Sequence, residues 1–278
     1  MYWWHFAEGG QKMDLTKEEQ ITYRHLYDLH MLAGRRGIPV YSGFIGLNET
    51  NMLYRVFDDR KIPRSLVDNY ILTYGGYQGA ERIMVCFLPD TLYSALEYSE
   101  FPIECIKISA LNHKFCDALT HRDYLGTAMG LGIERNQIGD IIVKKEENGA
   151  VTGYIFCCKD KAPLLMDITK VRHTSVHTET VDGAGLALIQ EYKDIQGSVP
   201  SLRLDAVTAT AARISRSGSL ALIKEGSVFL NGRMCTGSSK NICDGDIISI
   251  RGYGKYRIEV SQSVTKKGRY HITVKQYI

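Results

Sequence analysis

The residues with the clearest chemical role in this sequence are cations near its C-terminal end. From Leu202 to Ile278 the chain holds 13 Lys and Arg against 5 Asp and Glu, a net charge of +8. Residues 1–201 hold 21 against 26, a net charge of −5. Because each neutralised phosphate releases condensed counterions, a basic segment on a near-neutral chain favours nucleic acid as the ligand. A solvated basic face with no ligand is the alternative.

Candidate catalytic motifs in the middle of the chain are incomplete. His121-Arg122-Asp123 matches the start of a kinase catalytic loop, but Ala128 stands where that loop requires Asn. Gly130-Leu131-Gly132 follows a predicted helix and not a strand, so it is not a dinucleotide-binding fingerprint. Helix ends explain the stretch better, with Thr120 or Asp123 as the N-cap. No catalytic residue is assigned, and the sequence predicts a protein that is not an enzyme.

The cysteines do not form a metal or disulfide pattern. The seven, at positions 86, 105, 116, 157, 158, 235 and 243, include no Cys-x-x-Cys pair and have no nearby histidine pair at zinc-finger spacing. Most lie in or beside apolar runs, where free cysteine behaves as a small buried hydrophobe. We therefore expect no metal and no cofactor, and a reducing cytoplasm as the location.

Membrane insertion and export are not indicated. The longest uncharged stretches, such as Ile83–Pro89, fall far short of the roughly 20 apolar residues that cross a bilayer. The aromatic start Met1–Phe6 lacks the basic leader, apolar core and cleavage site of a secretory signal. A second methionine, Met13, precedes a helix-capping run, and no function is assigned to residues 1–12.

Three segments must position the cations, and together they predict an α+β fold with more than one domain. Residues 1–77 place apolar side chains at helical spacing, which predicts a small helical N-terminal part. Residues 80–197 alternate strand-like and helical runs, which predicts one sheet with helices on one face. The strand-like run Arg82–Leu88 is predicted to open this middle domain, and its last strand is predicted just before Pro200.

The third segment, residues 202–278, has the most regular pattern. Asp205–Ala212 predicts a short helix, and Ser215 or Ser217 is a suitable N-cap for a second one. Asn231-Gly232 is a strong hairpin signal between apolar runs. Two short helices are therefore expected beside a small twisted sheet with a C-terminal hairpin extension.

Several motifs in this segment resemble the S-four RNA-binding domain, which is named after a small-subunit ribosomal protein. The matching motifs are Arg203-Leu204-Asp205, Ser215-Arg216, Ile223–Val228, Asn231-Gly232 and Asp244–Ile247. In that family, two helices and the adjoining loop form a basic ridge that grips structured RNA. The resemblance implies RNA contacts at Arg203, Arg216, Ser219 and Lys224. Charge and placement alone add Arg213, Arg233 and Lys240, since Arg suits bidentate phosphate contact.

A second resemblance covers nearly the whole chain after Met13. Leu119–Gly126, Met129–Arg135, Ile138–Ile141 and, downstream, Ile247–Tyr256 are similar to segments of the YlmH family of bacterial and plastid proteins. It implies a helical N-terminal part, a middle domain like an RNA-recognition motif, and the S-four domain. Arg251 and Lys255 lie in the downstream segment and complete the predicted RNA-binding set.

The same resemblance implies a cellular role. Members bind free large ribosomal subunits that still carry peptidyl-tRNA, in ribosome-associated quality control, where nascent chains are extended without a message. The expected partners are therefore ribosomal RNA, tRNA and the large ribosomal subunit, bound by a monomer away from any membrane.

The middle segment contains one further candidate for RNA contact. Gly153–Phe156 resembles the aromatic strand on which RNA-recognition motifs stack bases, but no Lys or Arg precedes the glycine. Alternate aromatic residues on a strand usually face a core. A scaffold role is therefore the favoured interpretation of this strand.

Two other functions stay open at this point. An RNA-modifying enzyme, such as a pseudouridine synthase relative, is suggested by Arg203-Leu204-Asp205, but the expected Gly is absent and only 73 residues follow Asp205. A protein-interaction module with a basic face is the other.

Arg216 is expected at the surface, so Arg216→Ala is predicted to change folding stability by no more than about 0.5 kcal/mol. Its effect on RNA binding is predicted to be about 1 to 3 kcal/mol.

Overall fold

The computed structural model describes residues 15–89, 96–112, 117–145, 151–186, 192–264 and 268–277. The chain forms two compact units, Leu15–Leu188 and Ile189–Ile278. Each unit combines helices with antiparallel sheet. The predicted α+β class is therefore confirmed.

The first unit begins with helices and a three-stranded sheet. In chain order these elements are α1 (Lys17–Arg36), β1 (Val40–Ile45), α2 (Leu47–Asp59), a 3₁₀ turn (Arg64–Asn69), β2 (Ile71–Tyr74) and β3 (Ile83–Phe87). Thr16 caps α1, because its Oγ1 accepts a hydrogen bond from Glu19 N at 3.2 Å while Glu19 Oε2 accepts one from Thr16 N at 2.9 Å. The strands pair antiparallel in the order β1-β3-β2.

This sheet corrects the prediction of a small helical N-terminal part. The predicted helical spacing corresponds to α1 and α2, but their apolar faces pack on the sheet, where Leu26, Leu53 and Phe57 share a core with Val85 and Phe87. Strand β3, which the sequence assigned to the middle domain, lies between β1 and β2. The sequence pattern did not reveal β1 and β2, because short strands with distant partners leave little local periodicity.

The rest of the first unit is a five-stranded antiparallel sheet with helices on one face. Its elements are β4 (Ile103–Ala110), α3 (His121–Gly130), β5 (Ile138–Lys145), β6 (Val151–Cys158), α4 (Ala162–Met166), β7 (Lys170–Val171) and β8 (Thr174–Val181), with 3₁₀ turns at Tyr98–Glu100, Arg135–Gln137 and Lys159–Lys161. The sheet order is β5-β6-β4-β8-β7. Tyr124 of α3 and Leu165 of α4 pack with Ile106, Ile108 and Ile155 of the sheet. Between Ile103 and Val181 the structure has one sheet with helices, whereas the first and last strands predicted for this domain belong to other sheets.

A buried polar cluster joins the two sheets of this unit. Asp140 on β5 accepts hydrogen bonds from Tyr77 Oη at 2.8 Å, Glu81 N at 2.7 Å and Arg82 N at 3.1 Å. Burial raises the pKa of the Asp140 carboxyl, although these hydrogen bonds oppose the rise. The Arg82 guanidinium donates to the carbonyls of Ile138 and Phe44. This cluster fixes the three-stranded sheet against β5.

The second unit is a six-stranded antiparallel sheet with two helices. Its elements are β9 (Tyr192–Val199), α5 (Leu204–Ala212), α6 (Arg216–Lys224), β10 (Val228–Leu230), β11 (Arg233–Met234), β12 (Ile247–Ile250), β13 (Gly254–Val264) and β14 (Tyr270–Tyr277). The order is β11-β10-β12-β13-β14-β9. Ser215 caps α6 by accepting from Gly218 N at 3.1 Å. Asn231-Gly232 turns the β10–β11 hairpin with φ of 52° and 78°, as its sequence predicted.

Strand β9 corrects a second prediction. The sequence assigned the last strand before Pro200 to the middle domain, but Tyr192–Val199 pairs with β14 along its whole length. Ile195 and Val199 join the same core as Leu204 and Val207 of α5. A strand's partner is a non-local property, and nothing in the residues of β9 specifies it.

Candidate nucleic-acid interface

The centre of the predicted basic surface is a buried carboxylate that holds two arginines. Asp205 lies in the first turn of α5, and its side chain is 3% exposed. Arg216, the first residue of α6, places both Nε and Nη2 2.8 Å from Asp205 Oδ2. Arg203 Nε lies 3.3 Å from Oδ1, in a geometry that gives a charge contact but no hydrogen bond. Asp205 therefore connects the starts of the two helices.

The protonation of Asp205 follows from these contacts. Burial acts to raise its pKa, but the hydrogen bond and charge of Arg216, with the charge of Arg203, outweigh it and lower the pKa. The carboxyl is therefore ionised at neutral pH. Its two arginine partners stay half-exposed, at 41% for Arg203 and 51% for Arg216.

Three further predicted cations lie on or beside the same helices. Lys240 is in the loop at the start of α5, because Leu204 N donates to Lys240 O at 2.8 Å and Arg203 forms a bridge with Asn241. Arg213 ends α5 with a left-handed φ of 54° and is exposed. Lys224 is exposed in the last turn of α6. The name basic ridge is used below for Arg203, Arg213, Arg216, Lys224 and Lys240.

Ser219 is not part of this surface, which corrects the prediction that it contacts RNA. Its residue exposure is 0%, and its Oγ donates to Asp205 O at 2.6 Å. The hydroxyl therefore fastens α6 to α5. At this position the sequence motif correctly indicated the pair of helices, but Ser219 stabilises their packing from inside the unit.

The remaining predicted cations lie elsewhere. Side chains alternate across the sheet, and Val228, Leu230, Ile248 and Tyr256 share the core with α5 and α6. Their sequence neighbours point the opposite way. The name outer face is used below for this opposite side, which carries Phe229, Ser249, Lys255, Tyr277 and Tyr192.

Arg251 and Lys255 belong to the outer face, while Arg233 lies on the edge strand. The Arg251 guanidinium lies 5.0 Å from the centre of the Phe229 ring, and Lys255 Nζ lies 4.7 Å from the centre of the Tyr277 ring. Arg233 is half-buried on β11. The predicted RNA-binding set therefore divides between the helical side and the opposite side of one sheet.

The aromatic strand of the first unit is not accessible to a base. Tyr154 is 7% exposed and Phe156 is 0% exposed, because the three-stranded sheet covers them with Phe44 and Met84. Gly153 faces the other way, where a Cβ would lie 2.5 Å from the Tyr124 ring. The favoured scaffold interpretation of this strand agrees with these contacts.

Four of the described cysteines, at positions 86, 105, 157 and 235, are buried like small hydrophobes. Burial raises the pKa of the Cys86 thiol to about 11 and that of Cys105 to about 12, so neither is a thiolate at neutral pH. Cys243 is exposed, and Cys116 lies outside the described residues. Within the described ranges no group of His, Cys, Asp or Glu is arranged to hold a metal ion. None of the described helices is long and apolar enough to cross a membrane.

Two kinds of residue that meet the predicted cations were not predicted from the sequence. Asp205 was interpreted as the start of a predicted helix and as part of a family motif, and its contacts with both arginines were not predicted. Phe229, Tyr277 and Tyr192 were not singled out at all. A pattern in the sequence could have revealed them: each is an aromatic residue at an outward position of a strand, with a cation close in sequence or on a neighbouring strand. Lys255 beside Tyr277 is an example.

Comparisons with known proteins agree with parts of this description. Residues 97–184, which contain β4 to β8, match the family described as "Putative RNA-binding domain in YlmH". Ribosome-associated protein quality control protein P2 of Bacillus subtilis (strain 168) is 32% identical over 206 residues, covering 72% of this chain and 75% of that protein. Cell division protein ylmH from Streptococcus pneumoniae is a similar solved structure, with a TM-score of 0.46 and 23% identity over 62% of this chain and 96% of that chain.

Proposed function

The chain belongs to the YlmH family, and from this premise we propose that it is a ribosome-associated RNA-binding protein whose basic ridge grips structured RNA of the large subunit. The protein binds a free large subunit that still carries peptidyl-tRNA. In this complex the protein supports extension of the nascent chain without a message. It acts in the cytoplasm as a monomer. It contacts ribosomal RNA and tRNA and catalyses no reaction.

The observation that carries this proposal is the pairing of Arg203 and Arg216 with Asp205. The buried carboxylate holds Arg216 by a hydrogen bond and Arg203 by a charge contact. Both guanidinium groups remain half-exposed and keep donors for another partner. Fixed arginines lose less conformational freedom when they bind a phosphate. Lys240, at the start of α5, adds a third cation to the same end of the helices.

The domain assignment forms part of the proposal. We infer that residues 202–278, together with β9, are an S-four RNA-binding domain, in which α5 and α6 present the basic ridge. We infer that β4 to β8 are an RNA-recognition-motif-like domain that serves as a scaffold. The burial of Tyr154 and Phe156 supports a scaffold role for their strand, because base stacking needs an accessible ring. The family model that matches this domain is described as an RNA-binding domain, so any RNA contact that it makes uses other residues.

An RNA-modifying enzyme is the second candidate, and the position of Asp205 counts against it. A catalytic aspartate must reach its substrate, whereas Asp205 is almost fully buried and occupied by two arginines. Mass spectrometry of ribosomal RNA and tRNA after incubation with the purified protein should therefore find every nucleotide unchanged. An isomerised uridine or another protein-dependent change would favour the enzyme. A protein-interaction module would give the half-exposed guanidinium groups of Arg203 and Arg216 no polyanion to bind.

Sedimentation of cell lysate through a density gradient tests the proposal. The wild-type chain should migrate with free large subunits. The double variant Arg213→Glu/Lys240→Glu should be lost from that fraction, since it reverses two exposed charges of the basic ridge without touching Asp205. Arg216→Glu is a poorer probe, because it places a carboxylate beside the buried Asp205 and perturbs folding as well.

A matched control uses the first unit. Lys17→Glu reverses an exposed charge at the start of α1, where an acidic residue suits the helix dipole. This variant should co-sediment like the wild type. Undiminished co-sedimentation of Arg213→Glu/Lys240→Glu would show that the ribosomal contact lies outside the basic ridge.

A further inference from the structure

The outer face carries aromatic rings and cations in one continuous row. Phe229 on β10 pairs with Ser249 on β12, which pairs with Lys255 on β13. Lys255 reaches the Tyr277 ring on β14, and Tyr277 pairs with Tyr192 on β9. The row therefore crosses five neighbouring strands of the sheet.

The geometry of this row differs from that of a buried core. Arg251 and Lys255 lie over the Phe229 and Tyr277 rings at 5.0 and 4.7 Å, and Tyr192 meets Tyr277 edge-on with ring centres 5.0 Å apart. The three ring-bearing residues are all partly exposed. The apolar side chains that close the core lie on the opposite side of the same strands, against α5 and α6.

We propose that the outer face binds a segment of unpaired RNA, whose bases stack on Phe229 and Tyr277 while Arg251 and Lys255 bind its phosphates. The inference rests on the proposed RNA-binding function and adds a second surface that takes a different form of RNA. Unpaired bases stack on aromatic rings and on guanidinium planes, and both are present here. Phe229 and Tyr277 are three strand spacings apart, roughly 14 Å, so the segment spans several nucleotides.

Charge favours RNA over a neutral ligand on this face. Glu259 and Asp194 are outward carboxylates of the same sheet, and both lie beside Lys275, which Glu259 contacts at 2.9 Å. Arg251 and Lys255 are the cations beside the stacking rings. An unpaired RNA offers phosphates to these cations and exposed bases to the rings. A paired RNA helix buries its bases, so they cannot stack on the rings.

Binding of a labelled oligouridylate of about ten nucleotides, measured by fluorescence anisotropy, tests the inference. The variant Phe229→Leu/Tyr277→Leu keeps apolar bulk but removes both rings, and its affinity should fall by about tenfold for each ring. The variant Phe229→Tyr/Tyr277→Phe keeps both rings and should bind like the wild type. Circular dichroism establishes that each variant is folded. Should the ring-free variant not fold, Arg251→Glu tests the same face and should also lose affinity.

Tyr270→Leu is the matched control. Tyr270 is a 37% exposed tyrosine on β14, an odd number of residues from Tyr277, so it points to the other side of the sheet. Its loss should leave oligouridylate affinity unchanged. The inference is overturned if the wild type does not bind the oligonucleotide, if the ring-free variant binds equally well, or if Tyr270→Leu is as damaging.

The two proposals fail separately. If removal of the rings has no effect while Arg213→Glu/Lys240→Glu still loses the large subunit, only the outer face is refuted. If that charge-reversal variant keeps the large subunit while the rings are needed for oligouridylate, the basic ridge is refuted and the outer face stands.

Discussion

Replacement of Arg216 by Ala tests the structural role of the Asp205 cluster. The sequence predicts a surface residue whose loss costs no more than about 0.5 kcal/mol. The structure gives a different expectation, because Arg216 donates from Nε at 2.8 Å to a carboxylate that is 3% exposed. A hydrogen bond to a charged group contributes about 1.5 to 3 kcal/mol. Arg203 stays near Asp205 Oδ1 and Arg216 is half-exposed, so the lower part of this range applies, about 2 kcal/mol.

Urea denaturation followed by circular dichroism measures this cost. Arg213→Ala is the control, because Arg213 is exposed in the same pair of helices and lies at the far end of α5 from Asp205. It should change the free energy of unfolding by less than about 0.5 kcal/mol. In an Asp205→Ala background, Arg216→Ala should also cost little, since the interaction that it removes is already absent.

The reasoning would be refuted if Arg216→Ala were no more destabilising than Arg213→Ala. Arg216 would then be free of Asp205 in solution, and any loss of RNA affinity in Arg216 variants would reflect direct contact alone. A measured loss of about 2 kcal/mol in the free energy of unfolding would instead mean that Arg216 variants have two defects. They would lose a direct RNA contact, and the packing of α5 against α6 would also change.

Four further outcomes follow from the structure. The logarithm of RNA affinity should fall with the logarithm of salt concentration, at roughly 0.7 to 0.9 per phosphate contact of the basic ridge, and a slope near zero in a titration series would contradict the ridge. A chain that ends at residue 188 should unfold cooperatively, whereas one that ends at residue 201 should leave the amides of β9 unprotected in hydrogen exchange, because β14 is its partner. Since the folded-state pKa of Asp205 lies below its unfolded value of about 3.9, its stabilisation is present above that pH and is lost as pH falls through the folded pKa. The stability difference between wild type and Arg216→Ala should therefore shrink in acid denaturation below about pH 4. Gly153→Ala should destabilise the first unit by about 1 to 3 kcal/mol in urea denaturation, because its Cβ would lie 2.5 Å from the Tyr124 ring, and an unchanged midpoint would mean that the ring moves aside freely.

The sequence by itself determined the local structure near its strongest signals. The run Thr16–Glu19 predicted a helix start, and the Thr16 side chain caps α1. Ser215 caps α6, and Asn231-Gly232 turns a hairpin. These features depend on residues within a few positions of each other, so their physical cause is contained in the local sequence. The concentration of cations after Leu202 likewise needed only counting.

Tertiary structure decided which of these residues meet. The sequence placed β3 and β9 in the middle domain, but their hydrogen-bond partners belong to other sheets. Ser219 was predicted at the RNA surface and is buried because α6 packs on α5. Arg251 and Lys255 were predicted in one RNA-binding set with the cations of the helices, yet strand alternation turns Lys255 to the outer face, and Arg251 lies over an outward ring. Strand partners, burial and the direction of a face depend on contacts between residues far apart in the chain, and local propensity does not contain that information.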